Sequence, residues 1–199
     1  MNKPEISKSQ FLKGVQCQKA LWIYRNAKEL HPIIPESKQA IFDTGHEIGI
    51  LAQKAFKGGV EVEADYWDIQ GAVKKTEAFI ESGNTIIFEA AAINPQGIYS
   101  RIDALKKVKG KDEWDLIEVK GSTEVKDYYY WDMAAQRYAF LGAGYRIRKS
   151  VLMHINNKYV RNGALDLDEY FIQEDCTEAV KERMKEVKKL TREFLATLK

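Results

Sequence analysis

The stretch Trp114-Asp115-Leu116-Ile117-Glu118-Val119-Lys120 is apolar enough for a strand in the middle of a sheet, yet it carries a carboxylate and an ammonium two residues apart. Side chains two apart in a strand share a face, so Glu118 and Lys120 point the same way. Charges on a central strand are costly unless they are paired or used. Just upstream, Ile98 to Val108 reads as a second strand that carries Asp103, with Lys109-Gly110-Lys111-Asp112 as the connecting turn. If those residues form a four-residue loop, Val108 pairs with Glu113 and Asp103 falls directly opposite Glu118. Facing carboxylates repel unless a cation lies between them, and oxygen ligands of this kind suit Mg²⁺ or Mn²⁺. Lys120 beside such a centre is placed to hold an attacking water and to neutralise charge growing on phosphorus. The plainer reading is a Glu118–Lys120 pair on an exposed sheet face with Asp103 as a surface residue. An acid-x-lysine triplet is common, but its place inside an apolar strand, after an acid-bearing strand and before an amphipathic helix, favours the chemical reading.

Working outward, Thr85-Ile86-Ile87-Phe88-Glu89-Ala90-Ala91 reads as the first strand of an antiparallel meander, turned by Asn94-Pro95-Gln96-Gly97. A two-residue Pro95-Gln96 turn sets Phe88, not Glu89, opposite Asp103. Glu89 is therefore a supporting candidate, brought into line only by a bulge or an odd-length loop. Downstream, Asp127 to Leu141 is helical, with Trp131, Ala135 and Tyr138 facing one way and Tyr129, Asp132, Gln136 and Phe140 sharing another face. Val151 to Ile155 follows as a strand, which makes that helix a crossover.

Upstream, Ser7 or Ser9 caps a first helix, Val15 to Ala27 continues it, and Pro32 and Pro35 break it. Glu36 to Phe56 has the spacing of a long amphipathic helix. Val60 to Glu63 is a short strand, and Asp68 starts a helix that stops at Gly83. Cys176 to Leu198 forms the last helix. The expected fold is α/β, bordering on α+β, with a central mixed sheet, flanking helices and a helical N-terminal segment. One domain is expected, with a helical segment over 1–57, a catalytic core over 58–160 and a C-terminal helical extension over 161–199 whose uncapped end reads as truncated.

At 199 residues, 45% hydrophobic and 30% charged, the chain can bury a substantial core. A net charge of only +2 means that any nucleic-acid contact must come from local basic clusters. Lys106-Lys107-Val108-Lys109-Gly110-Lys111 is one such run, and Arg101, Lys126, Arg137, Arg146 and Arg148 extend it. Solvated hairpin charge explains the run equally well. In Tyr128-Tyr129-Tyr130-Trp131, Tyr129 is expected to face substrate as a base-stacking ring and Trp131 to enter the core. No stretch has the composition of a leader or a membrane span, so a cytoplasmic location is expected. Cys17 and Cys176 stand far apart and form no CxxC pair, which argues against a disulfide framework or a self-contained zinc site.

The order Phe42-Asp43-Thr44-Gly45-His46, Ile87-Phe88-Glu89, Arg101-Ile102-Asp103, Glu118-Val119-Lys120 and Gln136 resembles the RecB-like nucleases of the PD-(D/E)XK superfamily. The branch it looks like holds CRISPR adaptation exonucleases and uncharacterised bacterial RecB-like proteins. The resemblance runs from Ser7-Lys8-Ser9 to Asp175-Cys176-Thr177. It implies a restriction-endonuclease-like core and a Mg²⁺- or Mn²⁺-dependent DNase acting on DNA ends or single strands through a metal-activated water. It further implies that Asp103, Glu118 and the Val119 carbonyl bind the metal, that His46 completes the shell, that Lys120 is the catalytic lysine, and that Gln136 positions substrate or water.

The family's Q-x-x-x-Y motif ends here in Phe140, so its tyrosine hydroxyl is missing; on helix geometry Tyr129 replaces it more easily than Tyr138. Cys17 matches the first cysteine of the iron-sulfur relatives. Two thiols cannot hold such a cluster, so none is expected unless a longer chain supplies the other ligands. DNA is the expected partner, with an additional domain or nuclease-complex proteins beside it. The main alternative is a weak or inactive nucleic-acid-binding scaffold domain of a larger protein. An unrelated α/β protein with structural ion pairs would require Asp103, Glu118 and Lys120 to be dispersed in space.

Overall fold

Strand pairing around Trp114–Lys120 organises the molecule, described here by a computed structural model over residues 5–33 and 35–199. The first four positions, on which part of the leader reading rests, lie outside the described residues. In chain order the strands are β1 (Ile6–Ser7), β2 (Val60–Glu61), β3 (Ile86–Ile93), β4 (Ile98–Lys107), β5 (Trp114–Lys120), β6 (Ile147–Ile155) and β7 (Phe171–Asp175). The helices are α1 (Lys8–Gln16), α2 (Gln18–Asn26), α3 (Glu36–Lys54), α4 (Ile69–Glu81), α5 (Asp127–Gly142), α6 (Leu167–Tyr170) and α7 (Thr177–Thr197), with a 3₁₀ turn at Lys28–Leu30. The architecture is α/β: one open, mixed, 7-stranded sheet ordered β2-β3-β4-β5-β6-β7, with β1 paired to the start of β4.

β3, β4 and β5 form the expected antiparallel meander, and α5 crosses over to bring β6 parallel to β5. β7 returns antiparallel to β6. Apolar side chains alternate between the two faces. On one face Ile48 and Ala52 of α3, and Phe56 just after it, pack against Phe88, Ala104, Ile117 and Met153. The other is covered by α4, against Ile87, Leu105 and Leu116, and by α1, α5 and α7, against Ile98 and Leu152. Among the described residues no helix is long and apolar enough to cross a membrane.

Two short elements depart from the sequence reading. The N-terminal segment is not purely helical, because Ile6–Ser7 pairs in parallel with Ile98 and Tyr99 before Ser7 caps α1 through a box with Gln10. The strand Phe171–Asp175 was not expected either, since all but its first residue are exposed, as befits a sheet edge without alternation. The break at Cys17 between α1 and α2 arises from an extended residue there, φ −170°. α1 and α7, from opposite ends of the chain, meet where the Phe11 and Phe194 rings stand edge to face at 5.4 Å.

Candidate active site

The β4–β5 hairpin has the register that its loop length demands. Val108 N–H donates to the Glu113 carbonyl at 2.9 Å, and Leu105 and Ala104 pair with Leu116 and Ile117. Carried one step further, that register sets Asp103 opposite Glu118. Asp103 Oδ2 accepts the Val119 N–H at 2.5 Å, which ties the carboxylate to the neighbouring strand.

The β3–β4 connection differs from the expected two-residue turn. Asn94 N–H donates to the Ile98 carbonyl, Gly97 N–H donates to the Asn94 carbonyl, and the loop is Pro95-Gln96-Gly97, with Gly97 at φ 80°. Only glycine takes that left-handed conformation without strain, and it adds the third loop residue. The extra residue shifts parity by one: Phe88 pairs with Ala104 and Ala90 with Ile102, so Glu89 stands opposite Asp103. Three carboxylates, Glu89, Asp103 and Glu118, therefore occupy one row across three strands. Glu89 is itself distorted, the one non-glycine residue with positive φ (54°) among the described residues. An L-residue in that conformation costs about 1–3 kcal/mol, and such strain clusters at functional sites.

Burial and charge set the electrostatics. Burial raises the Asp103 carboxyl well above the usual carboxylate range and Glu118's charge adds to the rise, against the opposing pull of Lys8 and Lys120. Glu89 is also raised, chiefly by burial, with Arg101 pulling the other way. Glu118 is 2% exposed. Its Oε1 meets Lys120 Nζ at 2.6 Å and Lys8 Nζ at 3.4 Å, and its Oε2 accepts from Gln136 Nε2 at 2.5 Å. Lys120 Nζ reaches on to Asp132 Oδ2 at 2.7 Å, and Lys8 Nζ to Asp132 Oδ1 at 3.0 Å. Burial alone would lower both ammoniums, but the carboxylates around them hold Lys8 and Lys120 well above the ordinary lysine range. Asp132 would be raised by burial, yet Lys8 and Lys120 hold it well below the usual carboxylate range.

Lys8 and Asp132 were not singled out as site residues by the sequence reading. Asp132 had a signal: it shares a helix face with Gln136, four residues on, and that face meets the charged strand. Lys8 had none, because its approach depends on the unexpected β1 pairing and the cap at Ser7. Gln136 lies where expected, fully buried; its Oε1 accepts no hydrogen bond among the described residues. Phe140 continues the same face into the core, against Tyr145.

A cleft of about 640 Å³ reaches Asp103, Glu89, Arg101 and Val119, between α3 and the Glu61–Ala64 segment. His46 lines its α3 side and is exposed. α3 covers the sheet face of Ile117 and Val119, whereas Glu118 turns to the α5 face. His46 and Glu118 thus approach from opposite faces, and only Asp103 and Glu89 of the carboxylate row open to the cleft. Among the described residues no three His, Cys, Asp or Glu side chains stand close enough to hold one ion. What the donor set does fit is a hard cation taking one or two carboxylates and a backbone carbonyl, and keeping its remaining positions for water or substrate oxygen.

The expected nucleic-acid contacts come out differently. Tyr129 is 6% exposed, its ring under Lys120 Nζ at 5.4 Å and edge-on to Tyr128, so it presents no open face for a base; Tyr128, 58% exposed, is the surface ring at this point. The Arg101 guanidinium is committed to the Tyr99 hydroxyl and to the carbonyls of Ala64 and Asp65, where it pins the cleft wall and has little left for phosphate. Lys107 pairs with Asp112 at 2.8 Å and lies over the Trp114 ring at the far end of the hairpin, roughly 13 Å along the strand from Asp103. Arg137 is buried, donating to Ser150 and the Ile147 carbonyl, and Arg148 forks onto Asp115. Lys126 is exposed at the start of α5, near the end of β5. Cys17 is exposed and Cys176 buried, and neither forms a disulfide.

No family model matches the chain, and no curated protein matches it. Among solved structures it is similar to an alkaline exonuclease (LHK-Exo) from Laribacter hongkongensis, at 15% identity and TM-score 0.42 over 97% of this chain and 87% of that one. It is also similar to SSO0001, at 12% identity and TM-score 0.41 over 93% of this chain and 75% of that one. Superpositions this loose carry no functional argument.

Proposed function

We propose that this chain is a metal-dependent nuclease that hydrolyses DNA phosphodiester bonds at the Asp103–Glu118–Lys120 centre. One observation carries the proposal: the two hairpin registers align Glu89, Asp103 and Glu118 in a single row, with Lys120 on the same face as Glu118. Three acids in one row, Glu118 buried, Glu89 and Asp103 partly so and Glu89 on a strained backbone, make better sense as a cation site than as packing. Asp103 and Glu89, which open to the cleft, would hold Mg²⁺ or Mn²⁺ with the Val119 carbonyl, and Glu118 and His46 would join them only by moving towards the ion, since no three of these side chains stand close enough to share one as they lie. Such an ion, when bound, lowers the pKa of a water and polarises the phosphoryl oxygen.

The protein's own groups do the rest. Lys120, held charged by Glu118 and Asp132, offers its ammonium to the water and to charge developing on the phosphate. Gln136 donates to Glu118 Oε2, the oxygen that Lys120 and Lys8 do not hold, and so orients that carboxylate, while its own Oε1, unpartnered among the described residues, would be an acceptor for a water proton. Val119 N–H orients Asp103. Substrate positioning would fall to Lys126 and Tyr128, both exposed at the start of α5, just beyond the end of β5.

A second reading has an observation of its own. Both Glu118 oxygens and the Lys120 ammonium are already engaged, as in a structural ion cluster, which suits a nucleic-acid-binding scaffold without turnover. End-labelled single- and double-stranded DNA incubated with Mg²⁺, Mn²⁺ or EDTA separates the two. The nuclease reading predicts cleavage that needs the ion and is lost in Asp103→Ala and Lys120→Ala. Binding without cleavage selects the scaffold, and cleavage insensitive to EDTA or to both substitutions refutes the proposal.

A further inference from the structure

Lys120 is held in a way that conflicts with the task assigned to it. At 2.6 Å from Glu118 and 2.7 Å from Asp132 it has both neighbours at charge-assisted hydrogen-bond distance, and to meet a water or a phosphate it must loosen at least one. Asp132 is the one to release, since Glu118 belongs to the carboxylate row. Releasing it is costly if Lys120 is its only cation, because a carboxylate 5% exposed would be left unpaired. Lys8 removes that obstacle. Its ammonium sits 3.0 Å from Asp132 Oδ1, on the oxygen that Lys120 does not use, and only 3.4 Å from Glu118. Its position is built in: β1 pairs with β4 at Ile6 and Ser7, the Ser7–Gln10 box starts α1 there, and Lys8 is the first helical residue.

We propose that Lys8 is a positioning residue that serves as the second counter-charge of Asp132 and thereby frees Lys120 to turn from Asp132 towards the reacting phosphate. Without Lys8, Lys120 must neutralise both Glu118 and Asp132 and stays clamped between them. With Lys8 present, Asp132 keeps one cation when Lys120 leaves. The first turn of the N-terminal segment thereby becomes part of the catalytic unit. The assignment rests on the nuclease reading for its consequence and on the ion-pair geometry for its substance, and the two are tested apart.

The telling variants are Lys8→Met, Lys8→Arg and the double substitution Lys8→Met with Asp132→Asn, all in the full chain. Lys8→Met is expected to lower kcat for Mn²⁺-supported DNA cleavage by about 10- to 100-fold, with KM changed by less than about 3-fold. Lys8→Arg keeps the charge and is expected to stay within about 5-fold of wild type. Asp132→Asn added to Lys8→Met removes the clamp and is expected to restore about 10-fold of the lost kcat. A merely structural Lys8 predicts the opposite, with the double variant no better than the single one.

Solvent exchange of the Lys120 ammonium protons, followed by nitrogen-15 NMR without metal or DNA, gives the readout independent of activity. It slows in Lys8→Met and recovers in the double variant. If the exchange behaves so and wild type does not cleave DNA, the ion-pair assignment stands and the nuclease reading falls. Unchanged exchange, or a double variant that fails to recover it, overturns the proposal whatever the activity.

Discussion

Asp132→Asn tests how much of the fold is tied to the buried charge network. At 3.0 Å from Lys8 and 2.7 Å from Lys120, the carboxylate attracts each ammonium by about 5–6 kcal/mol at an effective dielectric of about 20. Most of that offsets desolvation, which costs several kcal/mol per charge. The asymmetry appears on removal: asparagine leaves two half-buried ammoniums facing each other, with Glu118 as their one remaining close partner and Asp103 acting from further off. The expected loss is about 3–5 kcal/mol at pH 7, out of the roughly 5–15 kcal/mol typical of a domain. For a chain of this length that is a fall in Tm of about 10 °C.

The pH dependence fixes the cause. Burial would raise Asp132, but Lys8 and Lys120 depress its folded-state pKa. Its contribution is therefore present above the unfolded value near about 3.9 and is lost as pH falls through the lower folded one. Urea denaturation of wild type and variant, both metal-free, should show the full gap at pH 7 and a gap closing below about pH 4. A gap under about 1 kcal/mol at pH 7, or one that stays constant down to pH 3, would refute the electrostatic account.

Other consequences are more local. Gly14→Ala places a Cβ 2.6 Å from the buried Phe194 ring, which forces α1 from α7 and is expected to cost about 1–3 kcal/mol in a denaturation midpoint. Glu89→Gly relieves a left-handed residue and a desolvated carboxylate, so it should raise stability by about 1 kcal/mol while lowering Mn²⁺-supported turnover at least about 10-fold. Burial pushes the Tyr145 hydroxyl up to about 12, with Glu77 adding to it. One tyrosine absorbance step should therefore lie near that pH and vanish in Tyr145→Phe, and the stability that this hydroxyl contributes should persist below about pH 10 and fade above it.

Local patterning made much of this legible. The strand around Glu118, the loop length that aligns Asp103 with it, the Asp68 cap and the helix face bearing Gln136 all follow from rules acting over a few residues. The errors lie where a single residue or a distant segment decides. Gly97 lengthened the β3–β4 loop by one residue and reversed the parity of Glu89. The two-residue strand β1, too short for any periodicity, carried Lys8 into the site. Arg101 and Lys107 looked free as sequence, but their partners, the Ala64 and Asp65 carbonyls and Asp112, are set by turns. Tyr129 shares the face of Asp132 and Gln136, which proved to be a buried face.

The central claim is that a catalytic divalent ion binds at Asp103 and Glu89 and draws Glu118 to it from its present partners. Single-turnover cleavage of end-labelled DNA as a function of Mn²⁺ concentration, for wild type, Asp103→Asn and Glu118→Gln, tests it most directly. The account predicts saturation in wild type, a loss of about 100-fold or more in each variant, and a higher Mn²⁺ requirement wherever activity remains. Equal Mn²⁺ dependence in all three proteins would contradict it.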